Sequence, residues 1–328
     1  MDTGTHIAMG VALTGLALVD PVVATDSATH GAVVIGAIAG SLIPDVDTVL
    51  KMRNNAVYIR NHRGITHSIP AVIMWPILLT LLLSFFYPDA HLWHVWAWTF
   101  LAVFLHVFVD VFNAYGTQAL RPISREWIAL SVINTFDPII FAMHLVAFVI
   151  WWWTGQPVAT MFGLLGLLIV YYVIRFALKK AVTHAVFKTV PNATEVFVAP
   201  TIRFFEWRVV VSSETSHYVG RAYRRSVTLY DEFKRLPLPT EEKVVKVAMT
   251  DFNMRAFTSF SPTYRWVIDR LPTDDGYEVR LIDLRYRNKG HYPFVAVVHV
   301  SDDLTIKSSY TGWIFSEQKL QQKLEPSK

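Results

Sequence analysis

The sequence predicts an integral membrane bundle of α-helices followed by a soluble α+β domain with an antiparallel sheet. Hydrophobic residues make up 53% of the 328 positions, and the long apolar runs lie before about residue 180. Beyond that point, shorter runs with β-branched and aromatic residues are typical of strands. We therefore expect two domains, a membrane helical domain over residues 1–180 and a cytoplasmic α+β domain over residues 181–328.

About six apolar segments are expected in the membrane domain. Four are apolar enough to be transmembrane helices, at residues 69–87, 93–112, 139–153 and 158–178. Two earlier segments, at 7–19 and 28–43, are shorter than the roughly 20 residues that cross a bilayer core. They would be tilted, extended by polar ends or packed partly inside the protein. Pro70 suits the first turn of the third segment, with Ser68 or Thr66 as its cap.

The distribution of Lys and Arg predicts the orientation. Basic residues lie in the loops 44–68 and 114–137 and at the exit 175–188, whereas the alternate connections near 20–26, 88–91 and 155–157 have none. Since Lys and Arg accumulate on the cytoplasmic side, we expect a multi-pass cell membrane protein with both termini inside. The bilayer is the expected partner. The net charge of +4 is modest, and no nucleic acid is expected.

The second domain has a mixed pattern. Thr240, followed by two glutamates, predicts a helix that extends to about Phe257. Strands are predicted at residues 194–202, 204–211, 277–286, 292–300 and 304–310.

A group of ionisable side chains is predicted to converge at the cytoplasmic face of the membrane domain. Such side chains are costly in hydrocarbon and persist mainly where they bind something. Some enter from the first helix and the first inside loop, and two lie in the last turns of a descending helix. The candidate metal ligands are His6, Asp45, Asp47, His62, His67, His106 and Asp110. His30, His91 and His94 fall at the opposite face.

The residue types indicate which metal would bind. The chain has no Cys, so the ligands are nitrogen and oxygen. An Asp-x-Asp in an extended loop, Asp45 and Asp47, offers two oxygen ligands from neighbouring positions, while His106 and Asp110 share one helical stripe. This mixed set favours Zn²⁺, with Mn²⁺ or Fe²⁺ as alternatives. An open position would hold a water that becomes a hydroxide nucleophile, and Arg63 could clamp an anionic oxygen.

Each motif also has a structural interpretation. A single His-x-x-x-Asp pair is more often a structural hydrogen bond than a metal site. The Asp45-Val46-Asp47 step can cap a helix or form a turn, and Arg63 can anchor a lipid phosphate. His144, inside a helix, fits a contact between helices. The expected convergence on one face is what favours the metal site.

Four motifs carry a family resemblance: Asp2-Thr3-Gly4-Thr5-His6, Pro44-Asp45-Val46-Asp47, His62-Arg63-Gly64-Ile65-Thr66-His67-Ser68 and His106-Val-Phe-Val-Asp110. Together they resemble the YdjM-like family of membrane-bound metal-dependent hydrolases, and the whole chain resembles its YfhP-type members. That family is distantly similar to the zinc phospholipase C and fungal single-strand nuclease group, which hydrolyses phosphodiesters with a cluster of zinc ions. The resemblance implies a principal ion and a neighbouring one. The principal ion would be held by Asp45 or Asp47, His62 or His67, His106 and Asp110, and the neighbouring one approached by His6 and Asp110.

The chain also departs from that group. The soluble enzymes use a processed N-terminal Trp as a ligand, whereas Met1 begins an unprocessed chain here. Their later His-to-carboxylate pair has no clear match, because Asp137 precedes His144 by seven residues. One metal is therefore expected rather than three.

Two functions from different classes follow. The favoured one is a membrane-embedded metal-dependent hydrolase of a phosphoester, phospholipid-like or otherwise membrane-associated, with Arg63, Asp45 and Asp137 as candidate catalytic residues. The alternative is a non-catalytic regulatory or assembly protein with a structural metal site. A transporter is a weaker third option, because the polar groups gather at one face and not at the midplane.

Overall fold

The computed structural model describes residues 1–52, 55–61, 63–272 and 275–325. The chain divides into two compact units. The first, here the membrane unit, comprises Met1–Asp47, His62–Ala181 and Ala199–Glu206, and the second, here the α/β unit, comprises Thr48–Asn61, Val182–Val198 and Trp207–Lys328. The loop of residues 48–61 thus belongs to the α/β unit, although membrane-unit residues flank it on both sides.

The helices of the chain up to residue 189 are α1 (Thr3–Ala17), α2 (Pro21–Thr25), α3 (Ser27–Gly40), α4 (Asn55–Asn61), α5 (Ile69–Phe86), α6 (Leu92–Asp110), α7 (Pro138–Thr154) and α8 (Pro157–Thr189). A 3-10 helix, Ile43–Met52, follows α3. Side-chain caps begin several of them: Asp2, Asp26 and Ser68 each accept a hydrogen bond from a backbone N–H in the first turn of the helix that follows. The prediction of a Ser68 cap is confirmed.

Within the described residues, three helices are long and apolar enough to cross a membrane: α5, α6 and α8. A fourth span is obtained if α3 and Ile43–Val49, bent by 45°, count as one. The expectation of about six membrane segments is therefore not supported. The reason is length: α1, α3 and α7 have 15, 14 and 17 residues. At 1.5 Å per residue they span about 21 to 26 Å, against a hydrocarbon core of roughly 30 Å.

Small residues let helices of the membrane unit approach closely. A Cβ added at Gly10 of α1 would lie 3.0 Å from the Cα of Ile38 on α3, and one at Gly40 would lie 3.0 Å from the carbonyl oxygen of Thr99 on α6. Backbone contacts of this kind are typical of packed membrane helices. They bring α1 and α6, which carry candidate site residues, against α3.

The described part of the α/β unit holds two four-stranded sheets instead of the single sheet expected. The first has the order β1-β2-β3-β4, with β1 (Glu195–Pro200), β2 (Glu206–Ser212), β3 (Ser216–Tyr223) and β4 (Ser226–Lys234). The second, β5-β6-β7-β8, is antiparallel throughout, with β5 (Tyr264–Arg270), β6 (Gly276–Asp283), β7 (Phe294–Ser301) and β8 (Ile306–Trp313).

Helices of the α/β unit pack on the second sheet. They are α9 (Lys243–Ala248), α10 (Phe252–Phe260) and α11 (Glu317–Leu324), with α4 packed against α10 and β8. The single helix expected from Thr240 to Phe257 is wrong, because the chain breaks between α9 and α10. Asp251 causes the restart, since its side chain accepts hydrogen bonds from the backbone N–H groups of Asn253 and Met254.

Candidate metal centre

Two imidazoles and two carboxylates converge in the membrane unit. Asp45 comes from the 3-10 helix after α3, His67 from the turn before α5, and His106 and Asp110 from the end of α6. Among the described residues they form the group that can hold a metal ion, with ligand atoms all within 4.8 Å of one another. Nε2 of His67 lies 3.6 Å from Oδ1 of Asp45 and 3.5 Å from Oδ2 of Asp110. Nε2 of His106 lies 3.7 and 3.8 Å from the same two oxygens.

These distances fit one ion at the centre of the group. Nitrogen and oxygen ligands bound at 2.0–2.1 Å in a tetrahedron lie about 3.4 Å from one another. The four His–Asp separations, 3.5 to 3.8 Å, are a few tenths of an ångström larger, and all the ligand atoms lie within 4.8 Å of one another. The ligands would therefore move inward to complete the coordination. Asp45, His67, His106 and Asp110 are the residues that would hold the ion.

The hydrogen-bond network assigns the imidazole tautomers. Nδ1 of His106 is 2.6 Å from the carbonyl oxygen of Ser41, which can only accept, so the proton is on Nδ1. The hydroxyl of Thr66 donates to Oδ2 of Asp47 at 2.8 Å, so it accepts from Nδ1 of His67 at 3.1 Å. Both rings therefore direct an unprotonated Nε2 toward the two carboxylates. This is the form in which neutral histidine binds a metal.

The centre consequently places acceptors against acceptors. Within the described structure, Oδ1 of Asp45, Nε2 of His106 and Oδ2 of Asp110 are buried and make no hydrogen bond. His67, His106 and Asp110 are fully buried, whereas the Asp45 side chain is 17% exposed. Buried acceptors that face one another are unfavourable, and Nε of Arg63, 3.2 Å from Oδ2 of Asp110, offsets this cost on one side of the group. A cation between them removes that cost, which makes the donor set suitable for a divalent metal.

Asp110 is the most heavily contacted of the four. Its Oδ1 meets the amino group of Met1 and accepts a hydrogen bond from Nδ2 of Asn113 at 3.2 Å. On the other side, Nε of Arg63 lies 3.2 Å from Oδ2, and the Arg63 guanidinium also donates to the Met1 carbonyl at 3.1 Å. These groups fix the carboxylate so that Oδ2 points toward His67 and His106.

His6 extends the centre on one side. Its ring stacks on that of His106 with centroids 3.7 Å apart and planes inclined by 14°. Nε2 of His6 is 3.5 Å from Oδ1 of Asp110, and within the described residues neither ring nitrogen makes a hydrogen bond. His6 therefore lies beside the group of four metal ligands. It is next to Oδ1 of Asp110, whereas Oδ2 of Asp110 faces His67 and His106.

The sequence falls into a known family by comparison with other proteins. Residues 1–182 match the YdjM inner membrane protein family, residues 191–233 the YfhP middle domain, and residues 243–324 the YfhP C-terminal alpha/beta plait domain. The chain belongs to the YdjM inner membrane protein family. It is 54% identical to the uncharacterized protein YfhP of Bacillus subtilis (strain 168) over 326 aligned residues. The alignment covers 99% of each chain. No solved structure matches. The family resemblance drawn from the motifs is thereby confirmed.

In this YdjM family member, other candidate residues have different surroundings. Oδ2 of Asp47 accepts hydrogen bonds from the backbone N–H of Arg63 at 2.9 Å and from Thr66, which places it behind His67 and outside the four-donor group. Asp137 caps α7 and accepts a hydrogen bond from the Tyr171 hydroxyl at 2.7 Å. These contacts give Asp137 a structural role, and its catalytic role stays a prediction. His62 lies outside the described residues.

Sequence reasoning missed supporting residues of the centre. Thr66 was considered only as a helix cap, and the Ser41 carbonyl and Asn113 were not considered. Asn113 follows Asp110 by three positions, a spacing that places neighbours on one side of a turn, so this signal was available. His144 makes a hydrogen bond to the Ile140 carbonyl of its own helix at 2.8 Å instead of bridging two helices.

Proposed function

We propose that the chain is a membrane-embedded, metal-dependent hydrolase of a membrane-associated phosphoester. The observation that carries the proposal is the group formed by Asp45, His67, His106 and Asp110, whose ligand atoms all lie within 4.8 Å of one another. Membership of a membrane protein family supports the bilayer as its environment. Phosphoester chemistry is supported by the resemblance of the motifs to zinc phosphodiesterases and by the cationic Arg63 beside the donors.

A divalent ion held by these residues would supply Lewis acidity and lower the pKa of water toward neutrality. The residues of the chain would do the rest. Asp45 is the most exposed of the four ligands, so water can reach the centre beside its carboxylate. Its Oδ1 would face the ion, and we assign to its Oδ2 the proton of the attacking water. The water oxygen would bond to phosphorus as the bond to the leaving oxygen breaks, and the leaving oxygen would then take up that proton. The guanidinium of Arg63 would stabilise negative charge on the phosphoryl oxygens while it holds Asp110 in place.

The proposed orientation follows the loop charges. The centre is built from the ends of helices that connect to the Lys- and Arg-containing loops, so we place it, with both termini, on the cytoplasmic side. The substrate would then be reached from the inner leaflet. Zn²⁺ is our first choice of metal, since imidazole nitrogen and carboxylate oxygen together are suitable ligands for it.

The test is elemental analysis joined to an activity screen on the detergent-purified full chain. Wild type is expected to hold metal in stoichiometric amount and to hydrolyse phosphodiester or phosphomonoester lipids in mixed micelles, with activity that chelator removes and added metal restores. His106→Ala should lose both metal and activity. His94→Ala is the matched control, because His94 is another histidine of α6 that pairs with an aspartate, Asp20, and should keep both.

A second candidate is a regulatory or assembly protein with a structural metal. The observation that favours it is the enclosure of the centre: three of the four donors are fully buried, and structural zinc sites have four protein ligands. Cobalt(II) substitution separates the two. A closed site gives a visible absorption spectrum that inorganic phosphate leaves unchanged, whereas the proposed hydrolase requires a change. Tightly held metal, an unchanged spectrum and no hydrolysis of any phospholipid would reject the enzyme.

A further inference from the structure

Asp47 and Thr66 form a pair behind the metal centre. We propose that they are positioning residues that fix the tautomer and direction of the His67 ring, so that its Nε2 is presented to a metal ion. This rests on the proposed metal centre and replaces the expectation that Asp47 is itself a ligand.

The order of the hydrogen bonds carries the inference. Oδ2 of Asp47 accepts from the Thr66 hydroxyl at 2.8 Å, and the Thr66 oxygen lies 3.1 Å from Nδ1 of His67. Because the carboxylate takes the hydroxyl proton, the Thr66 oxygen is left as an acceptor. It therefore selects the His67 tautomer protonated at Nδ1. Without Asp47 the Thr66 hydroxyl could donate to Nδ1 of His67. The ring proton would then move to Nε2, the nitrogen that faces Asp45 and Asp110.

The same carboxylate oxygen also anchors the backbone. It accepts from the N–H of Arg63 at 2.9 Å, and Arg63 has a left-handed φ of 57°. Asp47 thus joins the segment that carries Asp45 to the segment that carries Arg63 and His67. Its two hydrogen-bond partners, Arg63 and Thr66, follow it by 16 and 19 positions in the sequence. Two hydrogen bonds on one oxygen explain why the Asp47 carboxylate is held behind the imidazole.

The two histidines of the centre, His67 and His106, are oriented by different kinds of group. His106 is oriented by a backbone carbonyl, that of Ser41, which substitution cannot remove. His67 is oriented by a side chain, so its support can be altered without touching a ligand. Outer partners of metal-bound histidines typically contribute 10–100-fold to metal affinity. We therefore expect the loss of the Thr66 hydroxyl to weaken metal binding by about 10–100-fold.

The experiment measures metal affinity of the purified full chain by competition with a chromophoric chelator, using Zn²⁺ alone as the probe. Thr66→Val removes the hydroxyl at nearly constant volume, and Thr66→Ser keeps it. The control is Thr80→Val on α5, a buried threonine whose hydroxyl makes no hydrogen bond among the described residues. Thr66→Val should bind about 10–100-fold more weakly, and Thr66→Ser and Thr80→Val within about threefold of wild type.

Asp47→Asn gives a second, independent variant should Thr66→Val fail to fold. Its carbonyl can still accept from Thr66 and Arg63, so affinity should fall less than in Thr66→Val and more than in Thr66→Ser. The cobalt(II) spectrum is the readout that a merely structural role would not move, and it should shift in Thr66→Val but not in Thr80→Val. Equal affinities and spectra for Thr66→Val, Thr66→Ser and wild type would overturn this inference and leave the metal centre intact. Wild type without metal would overturn the metal centre itself.

Discussion

Helix α6 carries a histidine near each end, His94 and His106, and each faces an aspartate. The two histidine–aspartate pairs differ in whether they are joined by a hydrogen bond. At its start, Nδ1 of His94 is 2.6 Å from Oδ2 of Asp20, and the same oxygen accepts a hydrogen bond from Trp98 at 3.3 Å. At its end, Nε2 of His106 is 3.8 Å from Oδ2 of Asp110. The first pair is satisfied by its own contact and is partly exposed, whereas the second is fully buried and makes no such hydrogen bond.

The comparison shows that a nearby aspartate does not make a histidine a metal ligand. His106 differs from His94 because its Nδ1 proton is already engaged by the Ser41 carbonyl. The nitrogen that faces Asp110 is therefore an acceptor opposite an acceptor. His94 faces Asp20 with its own Nδ1 and needs no third group. We therefore propose as the metal ligand the imidazole whose Nδ1 is already engaged, His106.

The largest effect is expected from Asp110. Asp110→Ala removes the carboxylate that pairs with Arg63 and with the Met1 amino group, and breaking a buried ion pair in this way typically costs about 3–5 kcal/mol. Asp110→Asn should keep the fold better and still lose metal by more than the 100-fold typical of outer residues. Thermal unfolding in detergent and metal content measure the two effects. Retained metal in Asp110→Asn would contradict the assignment of the ligand.

Arg63 gives the next largest effect. Arg63→Gln should leave most of the metal bound, because Arg63 is not a metal ligand. It should lower kcat on a phosphoester by about 10²–10³-fold, because the positive charge that stabilises the phosphoryl oxygens is lost. Steady-state kinetics beside metal analysis checks this. An equal loss of metal and activity would assign Arg63 to support of Asp110 alone.

Metal removal, applied to wild type and to variants at each end of α6, distinguishes the two ends. A ligand present at 100 times its Kd stabilises the folded state by about 2.7 kcal/mol, so chelation should lower the Tm of wild type. The double variant Asp20→Asn/His94→Ala should show the same drop, since that pair is not part of the candidate metal centre. His106→Ala should show none. A chelation shift that survives in His106→Ala would mean that the metal binds elsewhere.

The smallest effect on stability, and its pH dependence, is expected at the pair formed by Asp20 and His94. Burial tends to raise the pKa of Asp20, but hydrogen bonds from His94 and Trp98 outweigh it, so the pKa lies below its usual value. A depressed pKa contributes stability above the unfolded pKa of about 3.9 that is lost as the pH falls through the folded value. Asp20→Asn should therefore cost under about 1 kcal/mol near neutral pH. That difference should disappear in strongly acidic buffer, as thermal unfolding at several pH values would show.

Local rules explain which parts of the fold were predictable. The Ser68 cap and the long apolar helices depend on residues within one turn or one continuous run, so the sequence predicts them well. The count of about six membrane segments is not supported, because it included three apolar segments whose helices, α1, α3 and α7, have only 15, 14 and 17 residues. The break at Asp251 was missed because a helix cap inside a helical pattern competes with the pattern itself.

The Asp-x-Asp step shows why the ligand set was harder. In an extended loop, residues two apart point to the same side, which predicts Asp45 and Asp47 as joint ligands. The chain instead forms a 3-10 helix there, in which about three residues complete a turn and residues two apart diverge. Asp45 faces the centre, and Asp47 turns toward Arg63 and Thr66.

The sequence alone determined that this is a membrane protein and which kinds of side chain gather at its polar site, because hydropathy and motif spacing are properties of short stretches of chain. Only the tertiary structure decided which atoms face the candidate metal site. The tautomer of His106 depends on a carbonyl 65 positions away, and that of His67 on a carboxylate 20 positions away that acts through Thr66. Hydrogen-bond partners at such separations are set by helix packing, which local patterns do not encode.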